Sequence, residues 1–125
     1  MAQDVQAAPR TAVATFGDRL AEAIERKRSQ LVGGLDPRRD LLPVELRGEP
    51  PAQAIARFSL GIVDAVAPHA VAIKPQLAFF EAHGSEGLRS FEEICVYARS
   101  AGLLVLADGK RGDIGSTARA YAAAY

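Results

Sequence analysis

Three short apolar runs constrain this chain most. They are Leu31-Val32-Gly33-Gly34-Leu35, Ala70-Val71-Ala72-Ile73 and Leu103-Leu104-Val105-Leu106-Ala107. None alternates apolar with polar residues, so each reads as a strand buried on both faces. Stretches of helical periodicity separate them. Continuous apolar strands alternating with helices make a parallel sheet packed by those helices. The fold class is therefore α/β, with about three βα units.

The helical stretches are legible individually. Phe16, Leu20, Ile24 and Lys27 recur at helical spacing among Asp18, Glu22, Glu25 and Arg26. A second stripe, Ile55, Phe58, Ile62, Val63 and Val66, begins near Ala52 and stops at Pro68. A third joins Leu88, Phe91, Ile94, Cys95 and Ala98, with Ser85 as its expected N-cap and Gly102 as its terminator. A fourth helix, rich in alanine, starts at Ile114. The proline-rich connection from Pro37 to Pro51 leaves room for a helical turn near Asp40 to Leu46. Gln76 to Gly84 reads as a connector. Gly33 and Gly34 fit a strand approached closely by another backbone or a ligand. Residues 1–15 are Ala-rich and polar and read as a flexible extension, with one domain from residue 16 to 125.

Composition excludes more than it identifies. Fifteen basic and fifteen acidic side chains leave a formal net charge of zero. Such a chain gives no electrostatic reason to expect nucleic acid or an anionic membrane as partner. No apolar run approaches the roughly 20 residues that span a bilayer. A cytoplasmic location is the default expectation. Cys95 is the single cysteine. It cannot form an internal disulfide and reads as a small buried hydrophobe.

Polar residues gather where the strands end: Asp36, Lys74, then Asp108 and Lys110. Ligand sites of parallel α/β folds lie at that edge. Taken singly, Asp36 could start a turn and Lys74 could be a solvated strand end. Asp108-Gly109-Lys110-Arg111-Gly112-Asp113 is harder to dismiss, because clustered charges at a strand mouth are costly to desolvate. Asp108 and Lys110 are two apart and share a face if strand geometry persists. The alternating array Lys74, Asp108, Lys110, Asp113 has a chemical use. Opposite charges favour the protonated form of a lysine. A fixed ammonium can give its proton to a carbanion. A carboxylate beside a substrate carboxylate repels it until CO2 departs. Decarboxylation with protonation at the same carbon suits that array.

Other motifs are weak. Gly109-Lys110 lacks the rest of a phosphate-binding loop. His69 and His83 lack metal-ligand spacing. Ser116 has no evident triad partners.

The segment Asp108-Gly109-Lys110-Arg111-Gly112-Asp113-Ile114-Gly115-Ser116-Thr117 resembles the signature of the orotidine 5′-phosphate decarboxylase family, in its bacterial D-x-K-R-G-D-I-G-S/T-T form. Val32-Gly33-Gly34-Leu35-Asp36-Pro37 resembles the family's first-strand segment. Ile73-Lys74-Pro75-Gln76 with Phe79-Phe80-Glu81 resembles its K-P-Q-x-A-F-F-E segment. The resemblance runs from about Phe16 to Tyr125.

That resemblance implies the N-terminal part of a (β/α)8 TIM barrel. It implies conversion of orotidine 5′-monophosphate to UMP and CO2 in UMP biosynthesis, without cofactor or metal, by a homodimer. It makes Lys110 the proton donor to C6 and puts Asp108 beside the substrate carboxylate. Lys74 joins the charged network and the ribose side, and Asp36 bonds a ribose hydroxyl. Asp113, Ile114 and Thr117 reach the partner subunit's site. A barrel of this type takes about 250 residues, so a truncated chain is expected. The phosphate-gripping arginine and closing loop then lie outside it, and the chain alone is expected to be inactive or nearly so. Two rivals remain. One is a related sugar-phosphate decarboxylase or aldolase holding magnesium. The other is a non-catalytic half-barrel whose open strand edges invite association.

Overall fold

The computed structural model describes residues 14–125. Most of the expected N-terminal extension, residues 1–13, lies outside the described residues. Thr15 does not belong to a loose segment, because it caps the first helix. Helix α1 spans Phe16–Lys27. Thr15 Oγ1 accepts from the Asp18 amide, and Asp18 Oδ2 accepts from the Thr15 amide, a reciprocal capping box.

Strand β1 is Val32–Leu35, β2 is Ala72–Pro75 and β3 is Leu104–Val105. They form one parallel sheet in the order β1-β2-β3. β3 is shorter than the apolar run that contains it. Its ladder nevertheless continues, through Leu106 N to Ile73 O and Asp108 N to Pro75 O, to an isolated bridge between Gln76 and Asp108. Between β1 and β2 come two 3-10 turns, Arg39–Leu41 and Val44–Leu46, and helix α2, Pro51–Val66. Pro51 opens that helix at a position where its missing N–H costs nothing.

The connector after β2 is helical. Helix α3 spans Leu77–Glu81, because Leu77 and Phe80, one turn apart, are both fully buried. Helix α4, Gly84–Ser100, then starts one residue before Ser85, and His83 is its N-cap, without a side-chain cap bond. Gly84 turns the chain there at φ 62°, a conformation that favours glycine. Helix α5 spans Gly115–Ala124, with Ile114 as its N-cap.

Alternation along the strands sorts the core into two layers. Ile73 points toward α2 and α4, in a cluster that includes Leu35, Ile55, Leu77, Phe80 and Ile94. Each fully buried side chain of this size contributes about 1.5–3 kcal/mol by leaving water. Cys95 sits in the same cluster as a small apolar residue, and burial pushes its thiol pKa up. On the other face, Ala72 packs with Ala23 of α1, joined by Leu104 and Leu106. Lys27 ties α1 to the rest, its Nζ donating to Ala67 O at 2.7 Å and to Ala70 O at 2.8 Å.

The two expected close approaches at β1 separate. A Cβ on Gly33 would meet Val66 Cγ2 at 3.4 Å, whereas one on Gly34 would meet nothing within 4 Å. The predicted stripe of α4 also loses a member. Leu88 is exposed and borders an open groove of about 590 Å³ with mixed apolar and charged walls, among them Phe91, Glu92, Arg99 and Tyr125.

Candidate active site

The sheet register builds the site. β2 and the third strand pair Ala72 with Leu104 and Ile73 with Val105. Continued at the same spacing, this brings Gln76 opposite Asp108, where the isolated bridge lies. Lys74, Gln76 and Asp108 therefore rise from the same face as Ala72, Leu104 and Leu106. That face is packed by α1 at one end and open at the rim.

Asp108 is the centre of the cluster. Its Oδ2 accepts from Lys74 Nζ at 3.1 Å and from Gln76 Nε2 at 3.0 Å. Its Oδ1 accepts from Lys110 Nζ at 3.1 Å. The Asp108 side chain keeps 26% of its exposure, against 44% for Lys74 and 78% for Lys110. Hydrogen bonds from Lys74 first, then Lys110, hold the Asp108 carboxyl below the ordinary aspartate range. The ionised form is thus fixed in place at neutral pH.

This arrangement differs in one respect from the alternating array read in the sequence. The aspartate lies between two lysines, and among the described residues Lys110 has one carboxylate partner rather than two. Among the described residues, Asp113 makes no ion pair with either lysine. It is exposed, and its Oδ1 accepts from the Ile114 amide at 2.8 Å. The reason is geometric: strand geometry ends at Asp108, and residues 109–114 form no helix or strand. Ile114 is 85% exposed and Thr117 lies exposed on α5. Asp36, past the end of β1, is exposed and borders a cavity of about 410 Å³ with Gln76, Glu81, Lys110 and Arg111. The structure thus brings together Asp36, Lys74, Asp108 and Lys110 at one rim and leaves Asp113, Ile114 and Thr117 on an outer surface.

Three residues make contacts that the sequence reading did not assign: Gln76, Glu81 and Arg111. Gln76 was visible only as part of a motif, yet it is two residues beyond Lys74 and shares its face. Glu81 and Arg111 form an ion pair across thirty positions of sequence, with side chains 30% and 26% exposed. No local pattern announces it, because α3 was not evident as a helix.

The cluster offers a fixed anion, two ammonium groups and an adjoining cavity. It can hold a polar substrate against Asp108 and supply a proton from Lys110. A divalent cation at Asp108 would have to compete with two ammonium groups already on its oxygens.

Comparison with known proteins converges on one family. Residues 29–125 match the model of the orotidine 5′-phosphate decarboxylase / HUMPS family. The chain is 47% identical over 118 residues to an orotidine 5′-phosphate decarboxylase of Rhodopirellula baltica, covering 89% of this chain and 39% of the relative. A Streptomyces avermitilis protein provisionally called orotidine 5′-phosphate decarboxylase superposes with a TM-score of 0.80 at 42% identity, over 92% of this chain and 40% of that one. UMP synthase of Leishmania donovani superposes with a TM-score of 0.74 at 35% identity, over 90% of this chain and 22% of that one. The chain spans about two fifths of the length of the curated relatives it matches. Its three parallel βα units are part of a (β/α)8 barrel, and its charged rim is the C-terminal edge of barrel strands. On the match across residues 29–125, the chain belongs to the orotidine 5′-phosphate decarboxylase / HUMPS family.

Proposed function

We propose that this chain carries the decarboxylating half of an orotidine 5′-monophosphate decarboxylase site. The observation that carries the reading is Asp108 held between Lys74 and Lys110, at 3.1 Å from each, on a rim beside an open cavity. In this reading the substrate's C6 carboxylate lies against Asp108. Two anions at that distance repel, and loss of CO2 relieves the repulsion. The C6–carboxylate bond breaks and leaves its electron pair on C6. Lys110 Nζ then gives its proton to C6, and UMP results. Stabilising the developing carbanion by a nearby ammonium does more for rate than any interaction equal in substrate and transition state.

Lys74 holds Asp108 in its ionised form and faces the ribose side. Asp36 accepts a hydrogen bond from a ribose hydroxyl. Asp113, Ile114 and Thr117 serve the neighbouring subunit of a homodimer. The exposure of Ile114, a large apolar residue next to Asp113, supports that assignment. Among the described residues no helix is long and apolar enough to cross a membrane. A cytoplasmic enzyme of UMP biosynthesis fits the reading.

The test is a fusion of this chain to the unmatched remainder of the Rhodopirellula baltica relative. It should convert orotidine 5′-monophosphate to UMP and CO2 with EDTA present. Activity lost to the chelator would instead favour a magnesium-using sugar-phosphate enzyme. The 125-residue chain alone should give no measurable turnover, and ordinary turnover by it would overturn the division of the site.

A further inference from the structure

We infer that Glu81 and Arg111 are positioning residues that hold Lys110 in place for proton transfer. The inference rests on the function proposed above for Lys110. Lys110 itself is poorly secured. Its side chain is 78% exposed, and among the described residues its one ionic contact is Asp108. A proton donor so placed depends on its backbone for aim.

That backbone is fixed on both sides. On one side the sheet ladder holds Asp108, whose carbonyl accepts from the Leu77 amide at 3.1 Å. Gly109 lies over Leu77, and a Cβ there would stand 3.5 Å from Leu77 Cδ2. On the other side stands Arg111. Its guanidinium pairs with Glu81 and donates to the Lys110 carbonyl at 3.3 Å. It also lies 5.9 Å from the Tyr121 ring centroid and 6.0 Å from that of Tyr125. Tyr125 donates its hydroxyl to Glu81 Oε1 at 3.4 Å, which fixes the acid as well.

Glu81 can act as an anchor because α3 is packed into the core. Leu77 and Phe80 are fully buried, and Phe80 meets Phe91 of α4 edge to face at 5.5 Å. A planar guanidinium suits this place better than an ammonium would. It bonds a carboxylate and a carbonyl at once while stacking on aromatic rings. Residues 109–114 lack helix and strand bonds of their own, so Arg111 ties down a segment that would otherwise sample many conformations.

Glu81→Gln tests the tether, because it keeps the shape and removes the charge. In the fusion protein, kcat should fall about 10-fold to 100-fold with KM within about threefold, as expected when a reacting group is misplaced rather than binding lost. Arg111→Lys should lose less than Arg111→Ala. In the 125-residue chain itself, 15N backbone order parameters at Lys110, Arg111 and Gly112 should fall in Glu81→Gln while those in β2 stay unchanged. Unchanged order parameters at those three residues overturn the tether. A fall with unaltered kcat overturns its role in positioning. If the unsubstituted fusion does not decarboxylate orotidine 5′-monophosphate, the proposed function fails, and the order parameters still decide whether the tether exists.

Discussion

Lys74 Nζ stands 3.1 Å from Asp108 Oδ2, a contact that joins neighbouring strands across the sheet at its rim. Register alone makes it possible. Lys74 precedes Gln76 by two, and Gln76 bridges Asp108. The contact gives Asp108 a pH signature. Its carboxyl is held below the ordinary range, chiefly by Lys74 and then by Lys110. A depressed carboxylate pKa adds stability that is fully present above the unfolded value of about 3.9. That stability disappears as pH falls through the folded-state value. Asp108→Asn should therefore lower stability at pH 7, by a gap that narrows as pH falls below about 3.9. Urea unfolding of both proteins across that range reads the difference directly. A gap that grows toward low pH would contradict the assignment.

Lys110→Ala in the fusion protein should remove the proton donor and leave most of the binding surface. Decarboxylation should fall by at least about 1,000-fold, within the range that proton transfer from a positioned side chain supplies. UMP binding, followed by calorimetry, should survive in part. Undiminished turnover would refute the role given to Lys110.

Much of this fold was legible because its signals are local. Strand runs such as Ala70 to Ile73 carry their own apolar pattern, and α1 has both periodicity and a cap. Helix α3 was not legible. Five residues cannot show a helical period, and Leu77 and Phe80 make it helical only by packing against α4. Leu88 misled for the opposite reason: it fits the stripe of α4 but faces the groove beside β3. At the site, Asp108 and Lys110 were legible as near neighbours. The place of Asp113 was not, because spacing cannot say where an irregular loop points. The Glu81–Arg111 pair joins the end of short helix α3 to that loop; each residue stood in a motif, but nothing local pairs them.

The packing of α3 on α4 makes a paired prediction. A Cβ on Gly87 would stand 1.9 Å from the Phe80 carbonyl oxygen, whereas one on Gly61 would meet nothing within 4 Å. Gly87→Ala should destabilise by about 1–3 kcal/mol or more, since a backbone atom must move. Gly61→Ala lies in the exposed interior of α2 and should stabilise by about 0.5–1 kcal/mol. Urea midpoints of the two variants should move in opposite directions. Equal shifts would mean that the Phe80 carbonyl does not press on α4 at Gly87.

The separation of Asp113 from Lys110 makes the last prediction, which concerns subunits. If Asp113 serves a neighbour's site, the two residues can be lost from different chains without losing every site. Fusion proteins carrying Lys110→Ala or Asp113→Ala should each be nearly inactive alone. Unfolded together and refolded, they should form mixed dimers in which one site takes Lys110 from one subunit and Asp113 from the other. With random pairing, half the dimers are mixed and one of their two sites is whole, so activity should return to about a quarter of the unsubstituted level. A site built within one chain gives a different result. Each mixed dimer would then carry two defective sites, and co-refolding would restore nothing. Recovery would also explain why Ile114 stays exposed in the single chain: beside Asp113, it would be covered when the second subunit arrives.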